Sequence, residues 1–163
     1  MSPGMPEPST ATKATLQLLR MAALLSDELD DELERASGLG LSEILVIIQI
    51  LFSDQRLKMT ELAETLVVTR GGVTRIVDRL VEGGYLDRVP SEEDRRVVYA
   101  EVTPAGAALI AEHQPVFEAV AHRRVGAMLD GDSLERMHGI LHVLTCENPG
   151  WEPPVPPAGS PAA

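Results

Sequence analysis

Arginines are the residues of this chain whose type and spacing best suit chemistry. Positions 54–103 hold Arg56, Lys58, Arg70, Arg75, Arg79, Arg88, Arg95 and Arg96, eight bases against ten acids. The rest of the chain holds six bases against fifteen acids, so most of the net charge of -11 lies outside this stretch. A guanidinium presents a planar fork that bonds phosphate, or the edge of guanine, in two places at once. Arg75 and Arg79 are four apart and lie off the apolar stripe formed by Val73, Ile76, Val77 and Leu80. Gly71 and Gly72 precede them; in the first turn of a helix, bare backbone lets the N-terminus approach a phosphate closely. Their plain alternative is a weak helix start, since an interior glycine costs about 1 kcal/mol relative to alanine. Asp94 and Arg96 are two apart, so on a strand edge the carboxylate could hold the guanidinium outward; the plain alternative is a surface ion pair.

Other chemistries find less support. There is no Gly-x-Ser-x-Gly, phosphate loop, dinucleotide fingerprint or dense His/Cys/Asp cluster, so neither an enzyme nor a cofactor is expected. His138, His142 and Cys146 share a helix face at four-residue steps, but Cys146 is two turns from His138, too far for all three to bind one ion without distortion. Met137, Ile140, Leu141 and Leu144 mark that helix as mainly packing, so no metal is expected. His113 and His122 add little. One cysteine excludes an intrachain disulfide and fits a reducing compartment. Only five residues are aromatic, which argues against a reader of single-stranded nucleic acid by base stacking. No apolar run is long enough to span a membrane, and Met1–Thr15 lacks the pattern of a secretory signal, so a cytoplasmic protein is expected.

The elements that must position the arginines follow from periodicity and caps. Residues 12–36 read as a helix, with Leu18, Ala22, Leu25, Leu29 and Ala36 on one face and Gly38 and Gly40 as stops. The acidic run Asp27–Glu34 reads as a solvated face. Ser42 is the expected N-cap of Glu43–Phe52, which is apolar nearly all round and suits a buried helix or a strand. Thr60 caps a short helix 61–66, and Thr69 caps a second, 70–82, that ends at Gly83-Gly84. Val67-Val68-Thr69 is then a tight connection. Residues 85–89 and 97–102 read as strands around the charged tip Pro90–Arg96. Thr103-Pro104 opens a helix reaching about Leu129, which Pro115 should kink or divide. Asp132 and Glu135 suggest a capping box for a last helix to Cys146.

The chain thus reads as mainly α with a small β-hairpin, a winged helix-turn-helix with flanking helices. Residues 41–103 form the DNA-binding region, and 11–40 with 104–147 the helical flanks. Residues 1–10 and the proline-rich 148–163 are expected to be tails. A helix-turn-helix followed by a charged hairpin suits duplex DNA, one helix entering the major groove and the hairpin following the backbone or minor groove. The rival reading is an interaction module, or a DNA binder that needs a partner.

Val73-Thr74-Arg75-Ile76-Val77-Asp78-Arg79-Leu80, then Gly83-Gly84-Tyr85-Leu86-Asp87-Arg88, resembles the recognition helix and first wing strand of MarR-type regulators. Glu93-Asp94-Arg95-Arg96 and Val102-Thr103-Pro104-Ala105-Gly106 are similar to that family's wing signature. The resemblance implies a homodimeric transcription factor on a palindromic operator, usually a repressor, often released by a small ligand. It implies that Thr69, Arg70, Thr74 and Arg75, with Gly71 and Gly72, face the major groove or its phosphates. It places Arg96, oriented by Asp94, in the minor groove, with Arg95 and Arg88 on the backbone and Arg79 less centrally. A ligand pocket where the flanking helices meet the DNA-binding lobe would draw on Ile47, Ile48, Leu51 and Phe52; ordinary core is their plain alternative.

Overall fold

The first helix, α1, begins earlier than its apolar stripe. It spans Thr10–Ser37 because Ser9 is its N-cap, the Ser9 hydroxyl accepting the Thr12 N–H at 3.1 Å. Ser9 and Thr10 therefore belong to the helix start and not to a tail. Gly38 closes α1 in the left-handed conformation (φ 73°), its N–H returning to the Glu34 carbonyl at 2.8 Å. The computed structural model describes residues 7–53, 56–65, 70–94 and 96–146. Thr69, the 67–69 connection, Arg95 and the tail 148–163 lie outside the described residues.

The ambiguous apolar segment is a helix, α2 (Leu41–Leu51). Its N-cap is Gly40 rather than Ser42. Two carboxylates hold the amides at the helix start: Glu43 accepts the Gly40 N–H at 2.6 Å, and Asp30, on α1, accepts the Leu41 N–H at 2.7 Å. Helix α2 is apolar all round because neighbours surround it: α1, α4 (Arg70–Glu82), α5 (Pro104–Ala121) and the central strand of the wing.

Among the described residues the sheet has three strands, where the sequence suggested two. β1 (Arg56–Lys58) pairs with β3 (Val98–Val102), which also pairs with β2 (Leu86–Pro90), giving the antiparallel order β1-β3-β2. α3 (Met59–Thr65) follows β1 directly and starts one residue before Thr60, the expected cap. One core joins these pieces: Leu33 of α1, Ile44, Val46, Ile47 and Ile50 of α2, Leu62 of α3, Val73, Val77 and Leu80 of α4, Leu86 and Ala100 of the sheet, and Leu109 of α5. Burying each aliphatic side chain of this size contributes about 1.5–3 kcal/mol.

Thr103 caps α5 as expected, its hydroxyl accepting the Gly106 N–H at 3.1 Å and donating to the Gly84 carbonyl at 2.7 Å. Gly106 is required there, because a Cβ would lie 2.3 Å from the Tyr85 carbonyl oxygen. Helix α5 continues through Pro115. The departure from α geometry falls later, in one π turn at His122–Gly126. The last helix, α6 (Gly131–Cys146), is capped by Asp130, whose carboxylate accepts the Ser133 N–H at 2.8 Å, and not by the Asp132–Glu135 box. No helix among the described residues is long and apolar enough to cross a membrane.

Candidate nucleic-acid interface

Helix α4 divides its residues cleanly. Val73, Val77 and Leu80 are at most 1% exposed and pin one face to the core, while Thr74 and Arg75 lie on the exposed face. Arg70 and Gly71 form its first turn, and Gly72 follows, half-buried. Gly83 and Gly84 end the helix: Gly84 takes φ 76°, and the Tyr85 N–H returns to the Leu80 carbonyl at 2.9 Å. That turn sends the chain directly into β2, so wing and helix leave one point as a unit.

The wing tip is organised by its own short polar side chains. The Ser91 hydroxyl accepts the N–H groups of Glu93 (3.3 Å) and Asp94 (3.4 Å). Asp94 was expected to grip the Arg96 guanidinium. Its carboxylate instead accepts the Arg96 backbone N–H at 3.0 Å, the local turn that aspartate forms with the amide two residues on. Asp94 thus shapes the loop that presents Arg96. Arg75 and Arg96 are both exposed, and neither has an ion pair among the described residues.

Three other arginines of the lobe are engaged. Arg88 bonds Asp78 at 2.5 Å, tying β2 to α4. Arg79, expected near DNA, instead holds Glu43 at 2.8 Å and the Gly38 carbonyl at 2.8 Å, at the junction of α1 and α2. The guanidinium of Arg56 sits 5.1 Å from the centre of the Tyr99 ring. Between α4 and the wing runs a groove of about 490 Å³, lined by Lys58, Met59, Thr60, Thr74, Arg88, Arg96, Val97 and Val98. Lys58 and Thr60 were not among the expected site residues. They reach the groove because β1 pairs with β3, a strand too short to show alternation in the sequence. Glu61 bonds the Lys58 ammonium at 2.9 Å and raises its pKa, so Lys58 remains a cation.

The residues proposed for a ligand pocket do not share one environment. Ile47 is 0% exposed and part of the core, Ile48 and Leu51 are half-buried against it, and Phe52 is 57% exposed at the end of α2. The rings of His138 and His142 stand 6.3 Å apart between centroids on α6, and Cys146 ends that helix. On the same helix Ile140, Val143 and Leu144 are exposed, as are Leu16, Leu18, Leu19 and Leu24 on α1.

A three-stranded wing behind an outward-facing helix, both set on one core with α2, defines a winged helix-turn-helix protein. Residues 37–97 match the model of the MarR family. The multiple antibiotic resistance protein MarR of Escherichia coli is 31% identical over 81 residues, 50% of this chain and 56% of that protein. Its counterpart in Salmonella typhimurium is 42% identical over 82 residues, covering 50% and 56%. The chain therefore spans about half the length of the curated relatives it matches. The fold reaches further. The crystal structure of Sco3205, a MarR family transcriptional regulator from Streptomyces coelicolor in complex with DNA, superposes with a TM-score of 0.73 at 24% identity, over 93% of this chain and 98% of that one. Over residues 37–97 the chain is thus similar to the MarR family, and the superposition extends the likeness of fold over most of its length.

Proposed function

We propose that this protein is a sequence-selective, duplex-DNA-binding transcriptional regulator, acting as a homodimeric repressor on a palindromic operator. The observation that carries the reading is the pair Arg75 and Arg96, exposed on α4 and the wing tip and without ion pairs among the described residues. An arginine on an outward helix face can read guanine in the major groove, and one at a wing tip suits a narrow A·T minor groove. Thr69, Arg70, Gly71, Gly72, Thr74 and Arg95 complete the proposed surface. Arg88 joins it at the wall of the groove. Asp94 serves by shaping the tip, and Arg79 is left out as a contact.

Dimerisation is supported by the apolar side chains that the single chain leaves exposed on α1 and α6. In a two-fold dimer each α4 would meet one half-site, with the two half-sites about one helical turn apart. The acidic remainder of the chain repels DNA at long range and favours selective over general binding. Release by a small organic effector is part of the proposal.

Fluorescence anisotropy of the purified protein on its own upstream intergenic DNA, against a scrambled duplex and across a salt series, tests the reading. Tight, selective binding with a steep salt slope is the expected result. A small-molecule panel added to the bound complex then reads out release. Equal, weak binding to both duplexes would overturn the reading and bring a protein-interaction role for the winged helix forward.

A further inference from the structure

Arg79 lies on the DNA-reading helix, yet it is directed into the elbow between α1 and α2. One nitrogen of its guanidinium meets the Glu43 carboxylate at 2.8 Å, and another donates to the Gly38 carbonyl at 2.8 Å. Glu43 is 7% exposed and also accepts the Gly40 N–H at 2.6 Å. Asp30, on α1, takes the next amide, Leu41, at 2.7 Å. Two glycines shape the elbow: Gly38 is left-handed, and a Cβ on Gly40 would lie 2.7 Å from Asp30 Oδ1 and displace that carboxylate. Both ends of the elbow are therefore gripped, by α1 through Asp30 and by α4 through Arg79.

We propose that Arg79 and Glu43 form a latch that fixes the angle between α4 and α1 and so sets the half-site spacing the protein accepts. This rests on the dimeric DNA-binding reading given above. Neither residue touches DNA; both are positioning residues. The lever is long. Leu18, in the exposed apolar part of α1, lies roughly 30 Å from Gly38 at the helical rise per residue. A tilt of about 6.5° at the elbow moves a point at that distance by about 3.4 Å, the rise of one base pair. A small loss of angular definition at the latch therefore blurs spacing by a whole base pair, with every DNA-facing side chain intact.

The test uses the full-length protein and a series of operators whose half-site separation is changed one base pair at a time. Binding of the parent, Arg79→Gln and Glu43→Gln is measured across salt, with thermal melts confirming that each variant folds. The amide introduced by Glu43→Gln keeps an oxygen for the Gly40 N–H, so that change spares the elbow's backbone hydrogen bond, whereas Arg79→Gln ends two atoms short of the guanidinium nitrogens and releases both Glu43 and the Gly38 carbonyl. The parent should lose about tenfold in affinity for each base pair of misplacement. Each variant should lose less than about threefold per base pair, with the parent's salt slope retained, because no phosphate contact has gone. A slope reduced by about one per half-site in Arg79→Gln but not in Glu43→Gln would make Arg79 a phosphate contact and overturn the latch. Folded variants with the parent's spacing preference would overturn it too, leaving the DNA reading in place. A parent with no preference for any duplex would overturn the DNA reading and the spacing role together.

Discussion

In the helical body, three of the five arginines close on acids: Arg35 on Glu32, Arg123 on Glu28 and Glu32, and Arg124 on Glu28, while Arg20 and Arg136 have no ion pair among the described residues. On α4 and the wing tip, Arg75 and Arg96 face solvent without such partners among the described residues. The same side chain thus does opposite work in the two regions. A paired guanidinium has its charge cancelled locally and its fork occupied, so it adds little to the field felt by a phosphate. An unpaired one keeps both and can release counterions from DNA when it docks. Arg79 shows that pairing, not location, is the sorting variable, since it lies in the DNA-facing lobe and is held by an acid.

That contrast can be broken by mutation, most sharply at Arg75. Arg75→Ala should cost about 1–3 kcal/mol of operator binding and relax the choice of base at one position in each half-site, read by competition with single-base variants of the operator. Arg96→Ala should act more weakly on affinity, lowering the salt slope by about one per half-site and acting most where A·T pairs flank the site. An Arg96→Ala protein with an unchanged slope would remove the wing from the interface. Arg124→Ala, from the paired set, should leave operator affinity unchanged and barely move the melting temperature, as expected of an exposed ion pair; a loss of binding there would abolish the distinction.

The smallest effect concerns acid stability. Hydrogen bonds from Arg124 and Arg123 hold the Glu28 carboxyl below its ordinary value of 4.5. A lowered folded-state pKa means that the unfolded chain binds the proton more readily. The stabilisation is complete above about pH 4.5 and is lost as pH falls through the lowered value. Glu28→Gln should therefore show a shallower fall of melting temperature with acidification than the parent. Parallel curves would mean that the pair contributes nothing to folding.

Much of this arrangement was legible because its signals are local. The apolar stripe from Val73 to Leu80, the Gly83-Gly84 stop, the charged tip and the Thr103-Pro104 cap each declare themselves within one or two turns. What stayed hidden depends on partners far along the chain. Ser42 looked like a cap because it carries a hydroxyl, yet Asp30 and Glu43 supply the acceptors at the start of α2. The acidic run Asp27–Glu34 read as a solvated face, but Glu28, Asp30 and Glu32 each bond another element or turn. Arg79 looked like a DNA contact because its position says nothing of Glu43, which only the packing of α4 on α2 brings near. β1 escaped notice because three residues carry no period. Asp94 was matched to the right residue but to its guanidinium instead of its amide, since a carboxylate two residues from an amide closes a turn as readily as an ion pair.

The sheet order β1-β3-β2 leaves two strands with an unpaired edge. Such edges invite other chains to add on, the usual first step toward aggregation. Here one edge strand is only three residues long, and the other ends at Pro90, which has no N–H to offer a visiting strand. Exposed Asp87 and Arg88 add charge along that same strand. A wing that must stand out from the body to do its work is in this way a poor template for strand addition. The protein should accordingly remain free of sheet-mediated self-association at concentrations where a longer, flatter hairpin would begin to precipitate.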